Sequence, residues 1–180
     1  MKYYIVIPAH NEEKFIGLTL NSLINQTILP SKVVVVNDNS TDKTSEIVES
    51  FSKKNIFISV LEKKSDAIHL PGSKVIQAFT TGFNTLDNEY DLIVKLDGDL
   101  ILPHNYFETI IDHFKSDAKI GMVGGFAYIE NNNSSTVSQP IAGFKPPICS
   151  KHSFRYALNA PRIWSLSVKF SNIKSLFFSM

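Results

Sequence analysis

The chain has a single cysteine, Cys149, so no internal disulfide can form and the thiol content gives no sign of an oxidising compartment. Glycine and proline number only eight each, which excludes collagen-like and low-complexity chains. With 43% hydrophobic and 19% charged residues, a disordered polymer is excluded as well. No run approaches the roughly 18 apolar residues of a membrane span. The apolar run at residues 3–7 stops at Pro8, too short for a signal-peptide core. A cytoplasmic protein with no transmembrane segment is expected. No G-x-G-x-x-G and no Walker-type loop follows the first strand candidate, which argues against a dehydrogenase and a P-loop NTPase. His10, His69, His104, His113 and His152 lack zinc-ligand spacing. No basic stripe interleaved with aromatics precedes Glu130, so nucleic acid is not an expected partner.

The last absence divides the chain. All 17 acidic residues lie at or before Glu130, and the 50 residues after it carry four lysines, two arginines and no carboxylate. The net charge of +1 therefore conceals an acidic first part and a basic second one. Two regions are expected: 1–130, a folded domain, and 131–180, a basic tail. The run 155–180 has the basic and aromatic composition of segments that lie on anionic membranes, which would make the protein peripheral at the inner face. Pro161 and the scattered serines favour a loosely packed end instead.

Before residue 130, short β-branched runs alternate with helical patterns. Residues 3–7, 32–37, 56–61 and 92–96 read as strands buried on both faces of a parallel sheet. Between them, Ile16, Leu20, Leu23 and Ile24 line one helix face, Ile47, Val48 and Phe51 a second, Val75, Phe79, Phe83 and Leu86 a third, and Phe107, Ile110, Ile111 and Phe114 a fourth. Asn11, then Ser40 or Thr41, then Pro103 stand where helix starts are expected. Residues 120–123 and 126–129 are two further strand candidates. Four β-then-α units predict an α/β, doubly wound, mostly parallel sheet.

Ligands of such sheets bind beyond the carboxyl ends of the strands, and there the polar residues cluster. Asp97-Gly98-Asp99 follows the fourth strand candidate. Two carboxylates at i and i+2 on extended chain share a side, and Gly98 lets a ligand approach the main chain. At 4 Å they would repel by about 4 kcal/mol at an effective dielectric near 20, which a divalent cation, Mg²⁺ or Mn²⁺, would relieve. Asp38 ends the second strand, where it can accept a hydrogen bond from base or ribose. It can equally open an Asx turn. Asn11, Glu12 and Glu13 suit a helix N-terminus, whose dipole favours carboxylates. With no glycine-rich loop, the metal is expected to neutralise a diphosphate, assisted by Lys74 or His69 near the third helix.

Ile5-Val6-Ile7-Pro8-Ala9-His10-Asn11-Glu12-Glu13, then Val33 through Asn37-Asp38-Asn39-Ser40-Thr41-Asp42-Lys43-Thr44, then Leu96-Asp97-Gly98-Asp99, resemble family 2 glycosyltransferases in order, spacing and strand context. The resemblance covers roughly residues 3–130. It implies the GT-A fold, a Rossmann-like sheet, and inverting transfer of a sugar from a UDP- or GDP-sugar to a hydroxyl of a glycan or lipid-linked acceptor. It implies nucleotide-sugar contacts from Pro8, Ala9, Asn11, Glu13 and Asp38, ribose and metal contacts from Asp97, Gly98 and Asp99, and Asp99 as the direct metal ligand, with Asp97 beside it. The family's acidic general base has no counterpart after Glu130, so the catalytic base is not identifiable. A donor-binding fragment without transfer activity is therefore a second expectation, and a nucleotidyltransferase a third.

Overall fold

A computed structural model describes residues 1–64, 73–124, 149–150 and 166–169. The strand candidate at 126–129, and His69 and His152, lie outside the described residues.

The β-branched runs form strands, and the amphipathic stretches between them form helices. The order is β1 (Tyr3–Ala9), α1 (Ile16–Ile24), β2 (Lys32–Asp38), α2 (Thr44–Ser52), β3 (Ile58–Lys63), α3 (Ser73–Phe83), β4 (Leu92–Lys95), α4 (Tyr106–Ser116) and β5 (Ile120–Val123). Two short strands follow, β6 (Cys149–Ser150) and β7 (Leu166–Lys169). The sheet order is β3-β2-β1-β4-β7-β5-β6. Strands β1 to β4 are mutually parallel, with Ile5 opposite Val33 and Val94, while β7 runs antiparallel to both β4 and β5. The chain beyond residue 130 thus contributes two strands to the sheet, one of them beside β4.

Alternation along the strands divides the core into two layers. Tyr3, Ile5 and Ile7, Val33 and Val35, and Leu92, Val94 and Leu96 face the layer that holds Ile16, Leu20 and Leu23 of α1, Val48 of α2 and Phe107, Ile110, Ile111 and Phe114 of α4. Tyr4, Val6, Val34, Val36 and Ile93 face the other layer, with Ala78 of α3. Each valine, leucine, isoleucine or phenylalanine among them contributes about 1.5–3 kcal/mol when fully buried. Helices on both faces make the sheet doubly wound, as the βα alternation predicts.

The third helix departs from its predicted face. Val75 is 45% exposed, while Phe79, Phe83 and Leu86 pack on the core around Ala78. Contact with the sheet is close at Gly82, where a Cβ would lie 2.6 Å from Val36 Cγ2 and 2.7 Å from Val6 Cγ1. The predicted helix caps also differ. Phe15, Lys43 and Asn105 occupy the N-cap positions of α1, α2 and α4, and none makes a side-chain cap bond. Asn11, Ser40 and Thr41 instead bond between loops.

Candidate functional site

The strand order places a topological switch between β1 and β4, since the connection after β1 leads towards β2 and the other neighbour, β4, is reached through α3. A crevice opens at such a point beyond the carboxyl ends of the strands. The segments after β1, β2 and β4 meet there.

The first two are joined to one another. Asn11 N–H donates to Ser40 Oγ (2.9 Å), Thr41 N–H to Asn11 Oδ1 (2.8 Å), Glu12 N–H to Thr44 Oγ1 (2.8 Å), Glu13 N–H to Asp42 Oδ2 (3.0 Å) and Lys43 N–H to Glu13 Oε2 (3.1 Å). Thr44 in turn donates from its hydroxyl to Asp42 Oδ1 at 2.5 Å. Desolvation works against the Asp42 carboxylate, but the Thr44 hydroxyl and the amides of Glu13 and Thr44 hold it below the usual range. Both turns need a left-handed residue, Asn11 at φ 57° and Asn39 at φ 55°, and asparagine tolerates that conformation better than most. Asn11 and Glu13, singled out in the sequence as donor contacts, thus spend side-chain oxygens on this clasp.

The segment after β4 is fixed against α1. Thr19, fully buried, donates from Oγ1 to Gly98 C=O at 2.8 Å. A Cβ at Gly98 would stand in ordinary contact, 3.4 Å, with Glu12 Cγ and Ile16 Cδ1. The chain leaves the strand at Lys95 and turns at Gly98-Asp99, so Asp99 is carried by a turn and not by extended chain. The extended-chain reason for placing both carboxylates on one side therefore fails, because the chain turns at Gly98-Asp99 between Asp97 and the end of the pair.

The two aspartates have different surroundings. Asp97, half-buried, is bound by the Lys95 ammonium. Asp99 is exposed and makes no ion pair among the described residues. Glu12 is half-buried beside them, its carboxyl pushed up by burial and by the negative charge of Asp99, Asp42 and Asp97, with His10 partly offsetting this. On the other side of β1, buried Asp38 pairs with Lys63, Nζ to Oδ1 3.4 Å. His10 Nδ1 lies 2.6 Å from the Asp38 carbonyl oxygen.

Of the remaining expected residues, Pro8 is half-buried opposite Val36 and Ala9 is buried opposite Asn37, both at the end of β1. Lys74 stands on the first turn of α3 and makes no ion pair among the described residues. Sequence reasoning did not single out Lys63, Lys95, Thr19 or Thr44. For Lys95 there was a signal: a charged residue inside the otherwise apolar run Leu92-Ile93-Val94-Lys95-Leu96.

A hard divalent cation fits the chemistry here, because Asp99 and Asp97 offer oxygen donors on the segment after β4 and Glu12, raised first by burial and then by the negative charge around it, stands beside them. Among the described residues no three His, Cys, Asp or Glu side chains converge on one point. One or two carboxylates from the chain, completed by phosphate oxygens and water, is the usual arrangement for Mg²⁺.

Comparison with known proteins agrees with this fold. The probable glycosyltransferase YdaM of Bacillus subtilis is 34% identical over 127 residues, 69% of this chain and 29% of YdaM. The chain spans less than a third of the length of the curated relatives it matches first. Among solved structures, TarS of Staphylococcus aureus in complex with UDP superimposes with a TM-score of 0.57 at 25% identity, over 77% of this chain and 38% of that one. The mannosyltransferase PcManGT of Pyrobaculum calidifontis, in complex with GDP-Man and Mn²⁺, gives 0.53 at 19% identity, over 67% and 34%. The model of the family described as Glycosyl transferase family 2 matches residues 4–171, past the boundary at 130 that the charge distribution drew. With nearly its whole length matched by that model, the chain belongs to glycosyl transferase family 2.

Proposed function

We propose that this chain binds a nucleotide-diphosphate sugar together with Mg²⁺ or Mn²⁺ in the crevice beyond β1, β2 and β4, for inverting transfer of the sugar to an acceptor hydroxyl of a glycan or lipid-linked molecule. The observation that carries this is the placement of the Asp97-Gly98-Asp99 segment at the switch point, where the Gly98 carbonyl is pinned by Thr19 and the Glu12 side chain lies against Gly98. Asp38, across β1, takes the base or ribose, and Pro8 and Ala9 form the floor between the two. Asp99 is the direct metal ligand, with Asp97 beside it. When bound, the metal supplies positive charge to the diphosphate leaving group. Asn11 and Glu13 hold the loop after β1 in place, and Lys74 stands at the α3 end of the same rim as a candidate phosphate contact.

The donor's base and sugar follow the relatives only as a class, UDP or GDP, since the neighbours above carry both. Family membership disfavours the nucleotidyltransferase alternative. No carboxylate stands after Glu130 to take the acceptor proton, so the proposal assigns this chain the donor half of the reaction. No helix among the described residues is long and apolar enough to cross a membrane.

Calorimetry with UDP and GDP, with and without Mn²⁺, on the protein and on Asp99→Asn tests the donor site. Metal-dependent binding of one nucleotide, lost in Asp99→Asn, is expected. Equal binding under all conditions refutes the proposal. Labelled UDP- and GDP-sugars with varied acceptors then decide whether transfer follows binding.

A further inference from the structure

Lys95 and Asp97 flank Leu96, which is fully buried in the α1 and α4 layer. Alternation therefore puts both on the opposite face, continuing from Ile93, with Val6 of β1 in register beside Lys95. The ammonium and carboxylate are in contact there, with 24% and 26% of their side chains exposed. The pair is thus more sheltered than the surface pairs Lys2–Glu89, at 43% and 77%, or Lys115–Asp112, at 58% and 66%. Asp99 lies two residues on, in the turn, exposed and without a cationic partner among the described residues. A strand that is otherwise apolar keeps one lysine, and that lysine meets one of the two aspartates.

We infer that Lys95 is a positioning residue whose ammonium acts as a resident cation on Asp97, so that the divalent metal is confined to the Asp99 side of the turn. The inference rests on the donor-site reading above. An incoming M²⁺ is attracted by Asp99 and Glu12 but meets a like charge at Asp97. The ammonium also holds the Asp97 carboxylate towards the α3 face of the sheet, leaving its position set before any ligand arrives. Lys95 weakens binding of metal alone, and the donor diphosphate completes the site. Metal and nucleotide consequently bind as a pair.

Mn²⁺ titration of the nucleotide-free protein, read by electron paramagnetic resonance of free Mn²⁺, tests this without reference to activity. Lys95→Met and Lys95→Gln are expected to bind Mn²⁺ about sevenfold tighter than the parent, the size that charges of +1 and +2 give about 7 Å apart in water. Lys95→Arg keeps the parental affinity, and Lys95→Met combined with Asp97→Asn returns towards it. Calorimetry supplies the second arm: in Lys95→Met the gain in nucleotide affinity on adding Mn²⁺ shrinks by a similar factor. Circular dichroism confirms folding, and Lys95→Gln stands in if Lys95→Met does not fold. Unchanged or weaker Mn²⁺ binding in both neutral variants, in a parent that binds Mn²⁺ and nucleotide, overturns the inference while leaving the donor site standing. A parent that binds neither overturns both.

Discussion

Lys63 and Asp38 face each other in register on β3 and β2, with Nζ 3.4 Å from Oδ1 and only 14% and 8% of their side chains exposed. Breaking a sheltered pair from one side strands a charge, which costs more than the pair itself contributes. Asp38 thus has a structural partner within the chain as well as a proposed nucleotide partner.

Replacing Asp38 by alanine is expected to weaken binding of the whole nucleotide by about 1.5–3 kcal/mol, the loss of one charge-assisted hydrogen bond. Metal-dependent binding of pyrophosphate should remain nearly intact, because Asp38 lies across β1 from Asp97. Calorimetry with nucleotide and with pyrophosphate separates the two. An equal fall in both would make Asp38 structural only, and a thermal melt reports the cost of stranding Lys63.

The two left-handed asparagines give a test of backbone strain. Alanine at Asn11 or Asn39 is expected to be less stable than glycine at the same position by about 1–2 kcal/mol, since only glycine takes a positive φ freely. Asn11→Gly also loses the bond from Thr41 N–H, worth about 1 kcal/mol. Urea denaturation of the four variants measures both effects, and no difference between alanine and glycine would contradict the assigned φ.

At Gly82 the expected effect is steric. A methyl group there meets Val36 and Val6 at 2.6 and 2.7 Å, closer than Cβ atoms approach. Overpacking of this kind costs about 1–3 kcal/mol, and the better helix propensity of alanine returns at most about 1 kcal/mol. Gly82→Ala should therefore lower the melting temperature. A rise would mean that α3 can lift from the sheet without penalty.

Glu12 gives a pH dependence with a definite sign. Its folded-state carboxyl is raised by burial and by Asp99, Asp42 and Asp97, so the folded protein binds this proton more tightly than the unfolded chain. The ionised group is a penalty above the folded value, and the penalty disappears as pH falls through it. Without metal, Glu12→Gln should stabilise the protein at pH 7 and lose that advantage near pH 4. Melting curves of both proteins across this range check it, and a gain that grew on acidification would reverse the assignment.

Several features of the fold and site were legible in the chain itself. The β-branched runs mark β1, β2 and β4 to within two residues, because a strand buried on both faces needs apolar side chains on each. The faces of α1 and α4 follow from 3.6-residue spacing, and the carboxylates fall at the strand ends because polar residues interrupt the apolar runs there. The face of the third helix departs from its spacing at Val75, since spacing does not tell which side of an apolar arc meets the sheet. Tertiary structure alone decided that β7 enters between β4 and β5, that Asn11 and Glu13 bond the neighbouring loop, and that Asp38 and Asp97 each meet a lysine while Asp99 meets none among the described residues. Periodicity is a property of neighbours along the chain, whereas these pairings join residues on different strands and loops or depend on where the strand ends. Local sequence determined which residues reach the rim; packing of the sheet and its turns determined which charges they find there.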